Sequence, residues 1–310
     1  MCFGTRYCAI CTCKRTVDLV EDDLERIRTA LEKARGERAR HGIGFGGSKQ
    51  PPVASGKAGG DVDQIKYTQT KSIDVSRALL REKRIVSGFE HGVYTDAFKI
   101  LCTQVLQKMR DSGWNALAIT SPGENEGKTM TAINLAISMA TEVNQTVLLV
   151  DANLRHPSVH QYFGLSEGMG LSDYLTGDTP LEKILIHPGI DHFVILPGGK
   201  PLLNSSEMLG SPKMAALVHE LKQRYPSRIV LFDLPPLLSA ADAMAFAPYV
   251  DAALLVVEEA KTKDEDIIRA AGLLGSTNLI GTVLNKSMDS EIAARKTGGW
   301  LGRLLKRKGH

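Results

Sequence analysis

Between residues 115 and 284, short apolar segments alternate with longer segments of helical periodicity. Strands are predicted at 115–120, 146–150, 193–196, 228–232, 252–257 and 279–284, and helices at 94–110, 127–140, 206–225, 240–248 and 267–274. Strands that are apolar throughout and alternate with helices are typical of a parallel sheet covered on both faces. The sequence therefore predicts a doubly wound α/β fold with a mostly parallel sheet.

The segments on either side of this region predict a chain of several parts. We expect residues 1–16 to be unstructured, and a translation start at Val17 is one interpretation of this cysteine-rich stretch. Residues 17–41 have the periodicity of an amphipathic helix, and residues 42–80 read as a flexible linker that is rich in Gly, Pro and Ser. The α/β domain is then expected at 81–287, followed by a basic tail at 288–310.

Composition excludes several classes of protein. No apolar run approaches the roughly 18 residues that a membrane-spanning helix needs. Aromatic residues make up only 5% of the chain, which argues against a stacking surface for nucleic acid, so no nucleic-acid partner is expected. The Cys8–Cys11 pair could bind a metal, but no second pair follows at zinc spacing. Because four of the five cysteines crowd the first thirteen residues and form no disulfide framework, we expect a cytoplasmic protein.

The segment from Ser121 to Thr129 carries the clearest chemical signal. Gly127 and Lys128 follow a predicted strand and open a predicted helix, which is the context that a phosphate-binding P-loop requires. Backbone N–H groups at such a helix start face the phosphates, Lys128 is expected to reach the β- and γ-phosphates, and Thr129 to bind Mg²⁺. Pro122 stands where the strict Walker A pattern has glycine. The fold that we expect is a P-loop NTPase of the deviant Walker A type.

Two further predicted strands end in a carboxylate, Asp151 and Asp233. Ligands of open α/β sheets bind at the carboxyl ends of the strands, so both side chains are expected beside the P-loop. Carboxylates there can bind Mg²⁺ and accept a proton during phosphoryl transfer. The sequence thus predicts Lys128, Asp151 and Asp233 as catalytic residues and Thr129, Asp151 and Asp233 as metal ligands, with ATP and Mg²⁺ as cofactors.

The chain resembles the bacterial tyrosine (BY) kinases of capsule and exopolysaccharide synthesis at their three nucleotide motifs, which correspond to segments 120–129, 147–157 and 228–236. These kinases are relatives of the Min and partition ATPases. The similarity extends from about Tyr67 to Lys286. Within the family, the chain is most similar to the kinase-like subunits of exosortase-associated exopolysaccharide loci. It implies an ATP-dependent phosphotransferase or ATPase that regulates exopolysaccharide polymerisation and export. It also implies an inner-membrane chain-length regulator as partner, homo-oligomers, and a cytoplasmic location peripheral to that membrane.

The resemblance and the loop together give the predicted nucleotide-binding residues. They are Gly123, Glu124, Asn125, Glu126, Gly127, Lys128, Thr129, Met130 and Asn285. By the resemblance, Asp151 is the carboxylate of the second motif, Asp233 is the Walker B carboxylate, and Asn285 contacts adenine.

The chain departs from the family pattern at three places. Asn153 replaces the second aspartate of the motif Asp-x-Asp-x-Arg, which removes a negative charge beside the expected metal. The family's oligomerisation motif, Glu-x-x-Arg-x-x-Arg, aligns with Asp96, Lys99 and Cys102, which lack its two forked cations. The family's kinases end in a tyrosine cluster, whereas the last tyrosine here is Tyr249, so an ATPase or a nucleotide switch is an alternative to a kinase.

The same residues argue against three other functions. A membrane-cycling ATPase of the Min or partition type carries an additional lysine early in its P-loop, where this chain has 121–123 Ser-Pro-Gly. An iron–sulfur carrier of the related scaffold type needs paired cysteines late in the domain, and none follow Cys102. A guanine-reading motif would place an aspartate two residues after Lys286, but Asp289 comes one residue later.

The basic tail predicts a peripheral membrane contact. After Glu291 the chain has six Lys or Arg residues and no acid. A helix there would set Trp300, Leu301, Leu304 and Leu305 on one side, which is the pattern of an interfacial segment. A solvated basic end is the alternative.

Overall fold

The computed structural model describes residues 70–141, 146–223 and 228–287. The predictions for residues 1–69, which cover the unstructured start, the amphipathic helix and most of the linker, lie outside the described residues. So does the prediction for the basic tail, 288–310. Within the described residues, no helix is both long enough and apolar enough to span a membrane.

The elements follow one another in the alternating order that the sequence predicts. The strands are β1 Lys71–Ser72, β2 Ala116–Thr120, β3 Thr146–Asp151, β4 Ile186–His187, β5 Phe193–Leu196, β6 Arg228–Asp233, β7 Ala252–Glu258 and β8 Asn278–Asn285. The helices are α1 Arg77–Glu82, α2 Val93–Ser112, α3 Lys128–Ala140, α4 Val159–Tyr162, α5 Leu171–Thr176, α6 Ser205–Leu209, α7 Pro212–Gln223, α8 Asp242–Phe246 and α9 Asp264–Leu273.

The strands form one sheet in the order β1-β4-β5-β3-β6-β2-β7-β8. All neighbours are parallel except β4 and β5. This arrangement confirms the predicted doubly wound, mostly parallel α/β fold. Strand β6 lies between β2 and β3, so the ends of these three strands meet at one edge, and Asp151 and Asp233 are register partners there.

The side chains on the two faces of the sheet pack into two separate apolar cores. On one face, Leu117 and Leu149 pack in the same cluster as Phe98 and Met109 of α2 and Ile133 of α3. On the other face, strand residues pack with helices α7 and α8, and the members include Ala118, Leu148, Phe232, Met214, Leu217 and Phe246. Because both faces are covered, the strands can be apolar at every position, as the sequence shows.

The structure corrects the predicted end of the flexible linker. Residues 70–80 fall within the predicted linker, yet Lys71 and Ser72 pair with β4, and α1 begins at Arg77, four residues before the predicted domain start at 81. The N-cap residue Ser76 accepts a hydrogen bond from the Leu79 N–H at 3.2 Å. Leu80 is buried in the core, so this segment is part of the domain.

The structure also corrects the predicted helix at 206–225. It is two helices, α6 and α7, interrupted at Gly210 and Ser211. Pro212 lacks a backbone N–H and disfavours helical geometry at the residue before it, so it ends one helix and starts the next. The Ser211 hydroxyl accepts a hydrogen bond from the Met214 N–H at 3.2 Å, which stabilises the new start.

Candidate active site

The P-loop connects β2 to the start of α3. Gly127 is the N-cap residue of α3 and has a φ of +92°, and Asn125 has a φ of +61°. A Cβ atom at Gly127 would lie 1.9 Å from Asn285 Nδ2. Glycine is therefore required for two reasons, the left-handed backbone and the close approach of β8.

Two of the predicted nucleotide-binding residues organise the loop from inside. The buried Glu126 carboxylate accepts hydrogen bonds from the Gly123 N–H at 2.9 Å and from the Thr262 hydroxyl at 2.5 Å. Asn285 Nδ2 donates to the Glu126 carbonyl oxygen at 2.7 Å. Gly123 and Glu126 do not line the cavity described below, and Asn285 fastens the loop to β8.

Two lysines hold the outer side of the loop. Lys286 Nζ donates to the Asn125 carbonyl oxygen at 2.6 Å, and Lys261 Nζ donates to the Glu124 carbonyl oxygen at 3.3 Å. Both lysines also bind the Glu258 carboxylate, at 2.8 and 3.1 Å. Burial raises the pKa of Glu258, but the hydrogen bonds from Lys286 and Lys261 outweigh it and leave the pKa below its ordinary value.

A corner suited to a metal lies where β6 ends. The Thr129 hydroxyl donates to Asp233 Oδ2 at 2.6 Å, and Lys128 Nζ lies 3.3 Å from the same hydroxyl oxygen. Asp233 Oδ1 and Asn153 Oδ1 are buried and have no hydrogen-bond partner among the described residues. Buried, unsatisfied oxygen atoms are the ligands that Mg²⁺ prefers, so this corner fits the predicted cation.

Asp151 is also fully buried, but it is held differently from Asp233. Its Oδ2 accepts hydrogen bonds from the Ser158 and Val159 N–H groups at 2.8 and 2.9 Å. Burial, and then the charge of Asp233, raises the pKa of Asp151 to about 7, against the lowering effect of these N–H groups and Lys128. Burial also raises the pKa of Asp233, while Lys128 and Thr129 lower it. A carboxyl group with a pKa near neutrality is suited to accept a proton.

A cavity of about 770 Å³ opens beside the loop, a volume within the usual range of ligand sites. The predicted residues that line it are Glu124, Asn125, Gly127, Lys128, Thr129, Met130 and Asn285. The other lining residues are Glu82, Lys83, Arg84, Asn153, His156, Ser158, Gln161, Tyr162, Pro236 and Lys286. Asp151 and Asp233 are buried and are not among the residues that line the cavity.

The loop between β2 and α3 presents Lys128 and Thr129 to the cavity, and two buried carboxylates lie at adjacent strand ends. These features define the class of P-loop nucleotide-binding proteins. Comparison with known proteins narrows this class. The tyrosine-protein kinase YwqD of Bacillus subtilis is 32% identical over 193 residues, which are 62% of this chain and 80% of YwqD. The chain belongs to the bacterial tyrosine-protein kinases, a family of ATP-dependent phosphotransferases.

Other comparisons agree with this assignment. The tyrosine-protein kinase Etk of Escherichia coli is 31% identical over 192 residues, which are 61% of this chain but only 26% of Etk. The solved kinase domain of Etk superposes with a TM-score of 0.59 and 28% identity, covering 69% of this chain and 87% of that domain. The solved VpsO kinase domain superposes with a TM-score of 0.55 and 30% identity, covering 60% of this chain and 92% of that domain. No family model matches the chain.

Proposed function

We propose that the protein binds ATP with Mg²⁺ and transfers the γ-phosphoryl group to a tyrosine hydroxyl. The observation that carries the proposal is the buried corner in which Thr129, Asp233 and Lys128 meet at the start of α3. Its unsatisfied oxygen atoms suit a metal, and the lysine suits a phosphate. Membership of the tyrosine-protein kinase family supports the choice of tyrosine as acceptor.

In this proposal each residue has a separate task. ATP with Mg²⁺ supplies the phosphoryl group and offsets its charge when bound. Thr129 and Asp233 hold the metal, and the N–H groups at the start of α3 together with Lys128 hold the phosphates. Asp151 accepts the proton of the attacking hydroxyl, because its raised pKa matches the pH at which it would act. Asn285 has two tasks, since it holds the P-loop in place and contacts the adenine base.

We further propose that this activity regulates the polymerisation and export of exopolysaccharide or capsule. Support comes from the motifs shared with the kinases of those systems and from a relative named as a tyrosine-protein kinase in the cps region of Klebsiella pneumoniae, 32% identical over 192 residues. The partner is an inner-membrane chain-length regulator, which would keep the protein in the cytoplasm at that membrane, and the basic tail adds a peripheral contact.

A homo-oligomer also belongs to the proposal, but helix α2 offers weak support for it. Asp96 and Lys99 lie 3.9 Å apart on the exposed side of α2, where they form an ion pair with each other. Cys102, the last position of the aligned motif, is buried in the core. An assembly of this chain would therefore use contacts other than those of the family motif.

A nucleotide switch without kinase activity is the second candidate, and Asn153 favours it. Asn153 lines the cavity at the position where the family has a carboxylate, so the site has one negative charge fewer around its cation. A smaller negative charge around the cation weakens metal binding and slows phosphoryl transfer, but it does not remove nucleotide binding.

Incubation with γ-labelled ATP and Mg²⁺ separates these functions. A kinase labels protein tyrosine, an ATPase releases phosphate without labelling protein, and a switch binds ATP without doing either. Lys128→Ala should abolish whichever activity is seen, while Lys183→Ala, an exposed lysine outside the cavity, should have no effect. Unchanged activity in Lys128→Ala would refute the proposed site.

A further inference from the structure

Arg84 lines the nucleotide cavity although it lies more than thirty residues before the P-loop. It follows α1 and has a left-handed backbone with a φ of +61°. In the described part of the chain, five non-glycine residues have a positive φ, and three of them, Arg84, Asn125 and Lys286, line this cavity. Such backbone geometry is unfavourable for residues with a Cβ atom and concentrates at functional sites.

Helix α3 itself holds the backbone of Arg84. Asn134, which is fully buried on α3, donates from Nδ2 to the Arg84 carbonyl oxygen at 3.1 Å. Its Oδ1 accepts hydrogen bonds from the N–H groups of Val86 and Ser87 at 2.9 and 3.1 Å. The helix that starts with Lys128 and Thr129 therefore also fixes the position of Arg84 relative to them.

Arg84 lies close enough to Tyr162 for its charge to act on that hydroxyl group. Tyr162, which also lines the cavity, has a pKa that is raised by burial and by the charge of Asp233 and lowered by the charge of Arg84. One hydroxyl group therefore experiences both the metal-corner carboxylate and the guanidinium. Met130, in the first turn of α3, connects the two regions, since Asn134 Nδ2 also donates to its carbonyl oxygen at 3.0 Å.

We propose that Arg84 binds the polyphosphate of the nucleotide, as a cation supplied from outside the P-loop. The proposal rests on the proposed nucleotide binding and adds a residue to that site. A guanidinium presents a planar fork of donors that matches phosphate oxygens, whereas Lys128 acts as a point charge. The neighbouring Lys83 also lines the cavity, where it pairs with Glu82 at 3.6 Å.

Arg84→Gly tests the role, because glycine removes the guanidinium and also accepts the left-handed backbone without strain. Titration calorimetry with Mg-ATP and with Mg-ADP should show affinity lowered by about tenfold or more, as expected for loss of a charge-assisted contact. The thermal unfolding temperature, measured in parallel, checks that the variant is folded at the temperature of the titration. Arg84→Lys should restore part of the affinity, and binding by Arg84→Gly should depend less on salt.

Arg81→Ala provides the matched control. Arg81 lies on the exposed side of α1, is paired with Glu90 and does not line the cavity. Its substitution should leave both affinities unchanged. A loss for ATP alone would assign Arg84 to the γ-phosphate, and an equal loss for ADP would assign it to the α- or β-phosphate, so either result supports the proposal.

The outcomes separate this proposal from the one on which it depends. If the wild type binds ATP, Lys128→Ala does not, and Arg84→Gly binds like the wild type, the role of Arg84 is refuted and the proposed function stands. If Arg84→Gly retains nucleotide affinity but loses labelling of protein, the residue serves the acceptor and the proposal is refuted as well. If the wild type binds neither nucleotide, both proposals fail.

Discussion

Asp151 and Asp233 occupy paired register positions at the carboxyl ends of the adjacent parallel strands β3 and β6. Both are fully buried, but their partners differ. Asp151 accepts hydrogen bonds from the backbone of the following loop, while Asp233 accepts one from the hydroxyl of Thr129. The sheet therefore brings two carboxylates together, and the difference in their partners is the basis on which we propose Asp151 for the proton and Asp233 for the metal.

Asp151→Asn is expected to damage turnover more than binding. An asparagine can still accept the hydrogen bonds of Ser158 and Val159, but it cannot take a proton from the acceptor hydroxyl. Loss of a general base typically lowers the rate by about a hundredfold or more, and ATP affinity should stay close to that of the wild type. Steady-state kinetics and calorimetry measure the two effects.

Asp233→Asn provides the contrasting variant. It should weaken ATP binding in the presence of Mg²⁺, and the difference from the wild type should vanish when the metal is chelated. Normal turnover in both variants would refute the two assigned roles.

Asp151 should contribute a fall in the stability of the protein without ligand as the pH rises from about 4 to about 7. The pKa of Asp151 in the folded state, about 7, is higher than its ordinary value of 3.8, so the folded state retains a proton that the unfolded state has lost. Asp151→Asn removes this group and should make the fall smaller. Asp111→Asn, at an exposed position of α2, should not change it. Thermal unfolding between about pH 5 and about pH 8 measures both.

Gly127→Ala should disrupt the P-loop. The new Cβ atom would overlap with Asn285 Nδ2, and the left-handed backbone adds strain, so we expect a loss of about 3 kcal/mol in the free energy of unfolding together with weaker ATP binding. Gly113→Ala isolates the backbone effect, because Gly113 has a φ of +68° and open space at its Cβ position. Gly113→Ala should lower the free energy of unfolding by only about 1 kcal/mol and leave ATP binding intact. Equal effects in the two variants, measured by denaturant unfolding and calorimetry, would contradict the close approach.

Glu258→Gln should loosen the outer side of the P-loop. The substitution removes the charge that holds Lys286 and Lys261 against the carbonyl groups of Asn125 and Glu124. We expect a loss of about 1–2 kcal/mol in stability, since the carboxylate is buried but the lysines are partly exposed. Faster hydrogen exchange of the loop amides and weaker ATP binding should accompany it. Glu265→Gln, an exposed acid of α9, is the control and should change neither property.

The basic tail lies outside the described residues, and the prediction for it rests on its sequence. Each Lys or Arg near an anionic bilayer contributes roughly 1 kcal/mol of binding, so the full chain should sediment with anionic vesicles at low salt. A chain truncated after Lys296 should stay in solution, and neutral vesicles should bind neither form. If both forms sediment equally with anionic vesicles, the tail has no such role.

The sheet and the P-loop were predictable because their signals are local. Gly127, Lys128 and Thr129 are consecutive, and the apolar runs that end at Asp151 and Asp233 identify their own strands. The interruption before Pro212 could also have been predicted from the proline itself. The two-residue strand β1 could not, because so short a segment has no periodicity and its pairing with β4 is decided by tertiary packing.

The parts of the site that the sequence did not predict depend on contacts between distant residues. Arg84 reaches the cavity through a hydrogen bond to Asn134, fifty positions away. Glu258 ends a buried strand just as Asp151 and Asp233 do, but Glu259 follows it and makes the pair look like a solvated charge cluster. A search for carboxylates at every predicted strand end would have found Glu258, whereas Arg84 has no comparable signal.

The contacts of Asn134 also limit how far the chain can be shortened by deletion. A fragment that starts at residue 88 would remove the partners of its three hydrogen bonds to Arg84, Val86 and Ser87. Nδ2 would keep its hydrogen bond to Met130, but the buried Oδ1 would lose both of its donors, and such an unsatisfied group costs about 1–3 kcal/mol, a large share of the stability of an ordinary domain. Fragments intended for crystallisation or for activity assays should therefore begin before Lys71, well upstream of the first nucleotide motif.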